Sequence, residues 1–264
     1  MNEKIVEAIK SRKSVRQYKD IPLTEEEIAK IKEYLSNSNN FETPFGSKVR
    51  IELKDDLKTM PVKTAPKYAV LVTPINQNGL IDGGYVFEKF IIYLESIGLN
   101  TCQIGMFKRE EVVLDVKAEE GQMILLCTPI GHGTEKASFK EKAIKAIIGS
   151  KRRKELDEMF FENDKMEAVK DERKRESLDL VRWAPSALNS QPWRIIFDGE
   201  KAHFYIGAKE HARIHGGLNI HTLDVGISLY HYMVAFDKGL RESKIAIDEK
   251  APKKADMDYL FSVE

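Results

Sequence analysis

Two stretches of this chain, 84–97 and 224–238, carry apolar residues on more than one face of a helix: Val86, Phe87, Phe90, Ile91, Ile92, Leu94 and Ile97 in the first, Val225, Ile227, Leu229, Met233, Val234 and Phe236 in the second. A helix that is apolar all round has no face to give to water, so both must run through the centre of the fold with the rest of the chain wrapped around them. Each is followed by a glycine and a leucine, Gly98-Leu99 and Gly239-Leu240, and a glycine there predicts a left-handed C-cap. Around them, β-rich runs bounded by turn residues predict strands over 48–53, 68–72, 123–128, 194–197, 202–206 and 244–247, with 102–105 a short strand or turn. Ile5, Ala8 and Ile9 share one face of a helix over 2–11. Thr24 with Glu27 makes a capping box for a helix that turns Ile28, Ile31 and Leu35 inward, and 36–40 is a polar loop. The charge-dense stretch 140–175 predicts a solvated helical connector.

Lys+Arg and Asp+Glu both number 42, so the formal charge is zero and no global field draws nucleic acid or a membrane surface. Nothing in the sequence approaches a membrane span, and 1–10 lacks the continuous apolar run of a signal peptide. Cys102 and Cys127 lie in apolar surroundings without a Cys-x-x-Cys spacing, which predicts reduced core thiols and a cytoplasmic setting.

The stretch Ala184-Pro185-Ser186-Ala187-Leu188-Asn189-Ser190-Gln191-Pro192-Trp193 sits between a helix and a strand. Its small residues let backbone approach a flat ligand, its prolines fix local dihedrals, and Ser186, Asn189, Ser190 and Gln191 supply donors and acceptors while Trp193 supplies apolar bulk. The same residue types also make an ordinary turn. The halves of the chain echo one another. Gly98-Leu99 and Gly239-Leu240 are 141 positions apart, whereas laying Thr43-Pro44-Phe45 on Gln191-Pro192-Trp193 needs a shift of 148, which puts Ser38 on Ser186 and Phe41 on Asn189. Arg152-Arg153-Lys154-Glu155-Leu156 falls opposite Arg12-Lys13-Ser14-Val15-Arg16 with the serine and second arginine lost, and Ile104-Gly105 faces Ile245-Ala246. These differing shifts require small insertions.

The 184–193 stretch resembles the signature loop of the FMN-dependent nitroreductase family, and Arg12-Lys13-Ser14-Val15-Arg16 matches that family's Arg-x-Ser-x-Arg motif. The order of the two motifs is that of the family, and the resemblance is closest to its single-chain, tandem-repeat members. What it implies is an α+β, nitroreductase-like fold with a mixed sheet packed by helices, built of two half-repeats, 1–148 and 149–264, packed as a pseudo-dimer with one complete site, for which a monomer suffices. FMN would be bound by Arg12, Lys13, Ser14, Arg16, Ile104 and Gly105 from the first half and by Pro185, Ser186, Ala187, Asn189 and Gln191 from the second. Arg12 and Ser14 would lie near the phosphate, Arg16 at the N1 and C2 carbonyl edge of the ring, and Gly105 near N5, where Ile104 stands in place of the glutamate of many relatives. One of Lys136, Lys140 and Lys142 would assist the phosphate. The implied activity is ping-pong hydride transfer from NADH or NADPH to a small nitroaromatic or quinone-like acceptor, with the flavin and no side chain as the reacting group.

Other readings rest on fewer residues. A non-catalytic flavin-binding sensor or store would use the same pocket, and a chain that had lost flavin would keep only the fold. His211, His215 and His221 form a histidine cluster, but Gly216-Gly217 breaks any helix there and no zincin pattern is met, so no metal is expected. Gly131-His132-Gly133 lacks the third glycine of a dinucleotide fingerprint.

Overall fold

A computed structural model describes residues 2–55, 57, 62, 65–105, 107, 116–134, 152–207 and 217–264. Five α-helices are described: α1 (Glu3–Ser11), α2 (Glu25–Ser36), α3 (Gln77–Ser96), α4 (Glu172–Arg182) and α5 (His221–Ala235). The first sheet holds β1 (Arg50–Lys54), β2 (Lys67–Pro74), β3 (Asn100–Thr101) and β4 (Gln122–Gly131), in the order β1-β2-β4-β3 and antiparallel throughout. The second holds β5 (Phe160–Glu162), β6 (Glu167–Ala168), β7 (Trp193–Asp198), β8 (Lys201–Gly207), β9 (Ile245–Ala246) and β10 (Met257–Val263), in the order β6-β5-β7-β8-β10-β9. It is mixed, because β5 runs parallel to β7 while its other pairs are antiparallel. The α+β class therefore stands, with two sheets where the sequence predicts one.

The central helices pack on each other through glycine. A Cβ on Gly84 would come within 2.2 Å of the Leu223 carbonyl oxygen, and one on Gly226 within 2.1 Å of the Ile81 carbonyl oxygen. The contact is reciprocal, and one offset of 142 positions relates Gly84 to Gly226 and Ile81 to Leu223. The same offset relates Asp82, which accepts the Phe45 and Ser47 N–H groups at 2.9 Å, to Asp224, which accepts the Ala187 N–H at 3.1 Å. Strand order repeats with it, since β1-β2-β4-β3 has the same arrangement as β7-β8-β10-β9.

This register corrects the shifts read from sequence. Phe45 stands opposite Ala187, not Trp193, and β9 occupies the place of β3, so Ile245-Ala246 faces Asn100-Thr101 and not Ile104-Gly105. The helix ends mislead for a physical reason. Gly98 does take the left-handed cap (φ +84°), with the Leu99 N–H reaching the Leu94 carbonyl at 2.9 Å. In α5 the left-handed residue is Asp237 (φ 52°), with the Lys238 N–H on the Met233 carbonyl at 2.8 Å, and Gly239 lies beyond it. Asp237 is 139 positions after Gly98, so α5 is about one turn shorter than α3.

The connector predicted over 140–175 is also corrected where it is described. After a 3-10 turn at Leu156–Glu158, closed by the Glu155 and Glu158 pair, the chain forms β5 and β6, and helix begins only at Glu172. The charges hide an apolar core run, Met159-Phe160-Phe161, which is buried and lies beside Ile195 and Ile196 of β7. Similarly, α3 starts seven residues before the predicted 84, because Asn76 caps it by accepting the Gly79 N–H at 2.7 Å. β10 has no counterpart in the sequence reading, and 36–40 contains a 3-10 turn at Ser38–Phe41. Both cysteines are free and buried. Among the described residues no helix is long and apolar enough to cross a membrane.

Candidate functional site

The signature loop leaves α4 and enters β7 through a backbone that few side chains tolerate. Leu188, Asn189 and Gln191 all have positive φ, at 52°, 57° and 48°. Such conformations persist only where neighbours over-determine them, and here the anchors are Asp224, His221 and Ser186. Asp224 holds the Ala187 N–H, His221 Nδ1 lies 2.7 Å from Asp224 and 3.4 Å from the Ser190 hydroxyl, and the Ser186 hydroxyl accepts the Gln191 N–H at 2.9 Å. Trp193 is fully buried and fastens the loop to the core as its bulk predicts, although its indole N–H has no hydrogen-bond partner among the described residues. Leu188 is left 81% exposed at the tip.

A segment that the sequence reading assigned to a decayed copy completes this wall. Arg153 Nη1 donates to the Asn189 side-chain oxygen, and the Asn189 amide returns a bond to the Arg152 carbonyl at 2.8 Å. The Lys154 N–H donates to Gln191 Oε1 at 2.8 Å, and Gln191 Nε2 donates to the Asn189 carbonyl at 2.9 Å. Arg153 also lies over the Trp183 ring, 5.3 Å from its centroid. Arg153 lies within electrostatic reach of Arg12: burial first, and then the like charges of Arg12 and Arg182, bring the pKa of the Arg153 guanidinium down to about 10. The available signal was the run Arg152-Arg153-Lys154 itself, a basic cluster without acidic spacing.

The N-terminal motif approaches from the first sheet. Ser14 bridges Thr101 of β3, the Val15 N–H donates to the Thr101 carbonyl at 2.9 Å, and Tyr18 bridges Gly133, so two isolated bridges hold 14–18 against the sheet end. Ile104 pairs both ways with Cys127 of β4, at 2.8 and 2.9 Å, and leaves Gly105 exposed beside it. Lys13 is exposed. Arg12 is thus close enough to Arg153 for their charges to interact, Ser14 and Ile104 lie at the end of the first sheet, and Pro185, Ser186, Ala187, Asn189 and Gln191 lie on the signature loop. Lys136, Lys140, Lys142, His211 and His215 lie outside the described residues. No cluster of three metal-ligating side chains occurs among the described ones, and His221 is taken up by Asp224 and Ser190.

The donor set fits an anion. Arg16 Nη1, Arg153 Nε and Arg182 Nε are buried without a hydrogen-bond partner among the described residues, as is Thr101 Oγ1 beside Ser14. Arg182 has one carboxylate, Asp179, at 2.5 Å. Buried guanidinium nitrogens of this kind are expensive to leave empty and suit phosphate oxygens. A separate cavity of about 450 Å³, lined by Tyr85, Lys89, Tyr230 and Glu42 among others, shares no residue with the signature loop. Within it Glu42 pairs with Arg241 and Lys89 donates to the Asn39 carbonyl, and among the described residues none of its lining side chains holds a buried polar atom without a partner, so the chemistry points to the loop and not to that cavity.

Comparison with known proteins agrees with the two motifs. Residues 4–236 match the family described as "Putative TM nitroreductase". The chain belongs to this nitroreductase family. Among solved structures it is similar to a putative nitroreductase from Thermotoga maritima, at 17% identity and a TM-score of 0.61, over 98% of this chain and 92% of that one. A nitroreductase family protein from Clostridium novyi (17% identity, TM-score 0.41) matches 51% of this chain and 89% of its own. An FMN-dependent nitroreductase from Clostridium difficile (18%, 0.39) matches 50% and 88%. No curated protein matches the sequence. The chain is accordingly an oxidoreductase of nitroreductase type, with the fold of that family.

Proposed function

We propose that this nitroreductase is an FMN-dependent NAD(P)H oxidoreductase that reduces nitroaromatic or quinone-like acceptors, built as a fused pseudo-dimer with one site between its halves. The observation that carries the reading is the set of buried guanidinium nitrogens without a hydrogen-bond partner among the described residues, on Arg16 of the first half and on Arg153 and Arg182 of the second, with Arg153 bonded to Asn189. Arg12, Arg153 and Arg182 would hold the phosphate, with Ser14 beside it, since bidentate charge-assisted bonds to phosphate are what planar guanidinium groups make best. Lys13, exposed next to them, would add long-range attraction. Arg16 would place fixed positive charge where negative charge develops on reduction. Ile104 and Gly105 on one side and Pro185, Ser186, Ala187, Asn189 and Gln191 on the other would wall a flat ring. FMN, when bound, supplies the two-electron redox chemistry that passes reducing equivalents from nicotinamide to acceptor. The chain's own part is to orient, to exclude water and to compensate charge, with reductant and acceptor occupying one cleft in turn.

The test is a titration of the purified chain with FMN and with riboflavin, followed by anaerobic addition of NADH or NADPH and then of a nitroarene or quinone. FMN is expected to bind more tightly than riboflavin, to bleach with a nicotinamide and to recover its colour with the acceptor. Bound FMN that neither nicotinamide bleaches would replace the enzyme by a flavin store.

A further inference from the structure

The two walls of the candidate site are joined through the core by buried polar side chains that neither wall's chemistry uses. Gln103, the residue before Ile104, donates from Nε2 to Glu88 Oε2 at 2.6 Å. Glu88 Oε1 lies 3.0 Å from His231 Nε2, and His231 Nδ1 lies 3.1 Å from the Leu180 carbonyl oxygen. Glu88 is on α3 and His231 on α5, both fully buried, and Leu180 is in the last turn of α4, just before Arg182 and Trp183. A carbonyl oxygen only accepts, so Nδ1 carries a proton, and a further proton is held between Nε2 and the carboxylate. His231 also follows Asp224 by seven residues, two turns along α5 on the same face. One helix face therefore grips the signature loop through Asp224 and α4 through His231, and reaches the opposite wall through Glu88 and Gln103.

We propose that Glu88 and His231 are positioning residues that fix the spacing between the 103–105 strap and the signature loop, and so the width of the cleft. The assignment of that cleft to FMN rests on the reading above, while the coupling of its walls does not. Replacing both members by apolar residues removes the buried pair without leaving either of them unpaired, and it severs the links to the Gln103 amide and the Leu180 carbonyl at once. The informative variant is thus the pair Glu88→Met with His231→Leu. Glu88→Gln is the control that keeps every hydrogen bond, with its oxygen toward Gln103 and its amide toward a neutral imidazole.

Hydrogen exchange of the flavin-free chain, followed over 100–105 and 184–193, is expected to be faster by about tenfold or more in both segments of the double variant, relative to the core segments of the same variant, which report its global stability. FMN affinity should weaken by about tenfold. Glu88→Gln should stay within about twofold of the parent in both measurements. Unchanged exchange in either segment of the double variant, or loosening by Glu88→Gln as large as that of the double variant, overturns the proposal. A parent chain that binds no FMN sinks the flavin reading instead and leaves exchange to decide this one.

Discussion

The loop after α2 and the loop after α4 are built on one plan and finished differently. Each hangs a backbone N–H on an aspartate of a central helix, Phe45 on Asp82 and Ala187 on Asp224, and each turns through a left-handed residue at the next position. In the first loop that residue is Gly46 (φ +74°), with nothing near the place a Cβ would take. In the second it is Leu188 (φ 52°), followed by Asn189 and Gln191 in the same region. At the offset of 142, Ser47 and Val49 stand where Asn189 and Gln191 do. The first loop solves a turn with the residue that turns at least cost, whereas the second keeps side chains in spite of it. On the proposed reading, backbone strain is retained in the copy that carries the site and avoided in the other.

The comparison depends on a true pseudo-twofold, and the largest effect tests that. Gly84→Ala and Gly226→Ala each drive a Cβ into a carbonyl of the opposite helix, at 2.2 and 2.1 Å, where no flexible side chain can give way. Each should cost about 4 kcal/mol or more, the range of severe core disruption, and the two costs should agree within about 1 kcal/mol. Urea denaturation checks both. One glycine tolerant and the other not would break the symmetry on which the loops are compared.

The next effect separates the loops by function. Arg153→Ala and Asn189→Ala should weaken FMN by about tenfold to a hundredfold, the 1.5–3 kcal/mol of a hydrogen bond to a charged group. The Arg153 loss should shrink when riboflavin replaces FMN, leaving only the part that comes from releasing the Asn189 side chain that Arg153 holds. Ser47→Ala, at the position of Asn189 in the first loop, should leave both affinities within about twofold. A Ser47 effect as large as that of Asn189 would mean that the first loop also carries a site.

The sequence exposed the elements whose pattern is local. The all-round apolar runs, the Thr24 capping box (the Glu27 N–H on the Thr24 hydroxyl at 3.2 Å) and the Gly98 cap each depend on residues within a few positions, and each is present. The repeat register was not legible, because it is set by where two helices cross, Gly84 on Leu223 and Gly226 on Ile81, and nothing local distinguishes those glycines from Gly98 or Gly239. Met159-Phe160-Phe161 was masked by Glu155, Asp157 and Glu158, whose charges serve a turn and not a solvated helix. At the site, Asn189 and Gln191 stood out by type, but Arg153 did not, since its role comes from a chain crossing that links residues 36 apart. Nor could the core pair Glu88 and His231 be found, as its 143-residue separation leaves no periodic trace.

The smallest effect returns to the left-handed position. A leucine there costs about 1–2 kcal/mol relative to a right-handed conformation, and glycine removes that cost while giving back about 0.5–1 kcal/mol of chain entropy to the unfolded state. Leu188→Gly should therefore stabilise the chain by about 0.5–1 kcal/mol, with little packing to lose, because the side chain is 81% exposed. Gly46→Leu should destabilise by about 1 kcal/mol, since its Cβ meets open space and only the backbone objects. Chemical denaturation of the two swaps measures the strain directly. Opposite signs show that the same turn is present in both halves and that the second half retains a leucine its backbone does not favour. If Leu188→Gly also raises KM for a nitroaromatic acceptor with kcat unchanged, the retained side chain contributes apolar contact to the acceptor and the strain is tied to recognition. A stability gain with KM and kcat both unchanged would leave the loop's distinction to Asn189 and Gln191 alone.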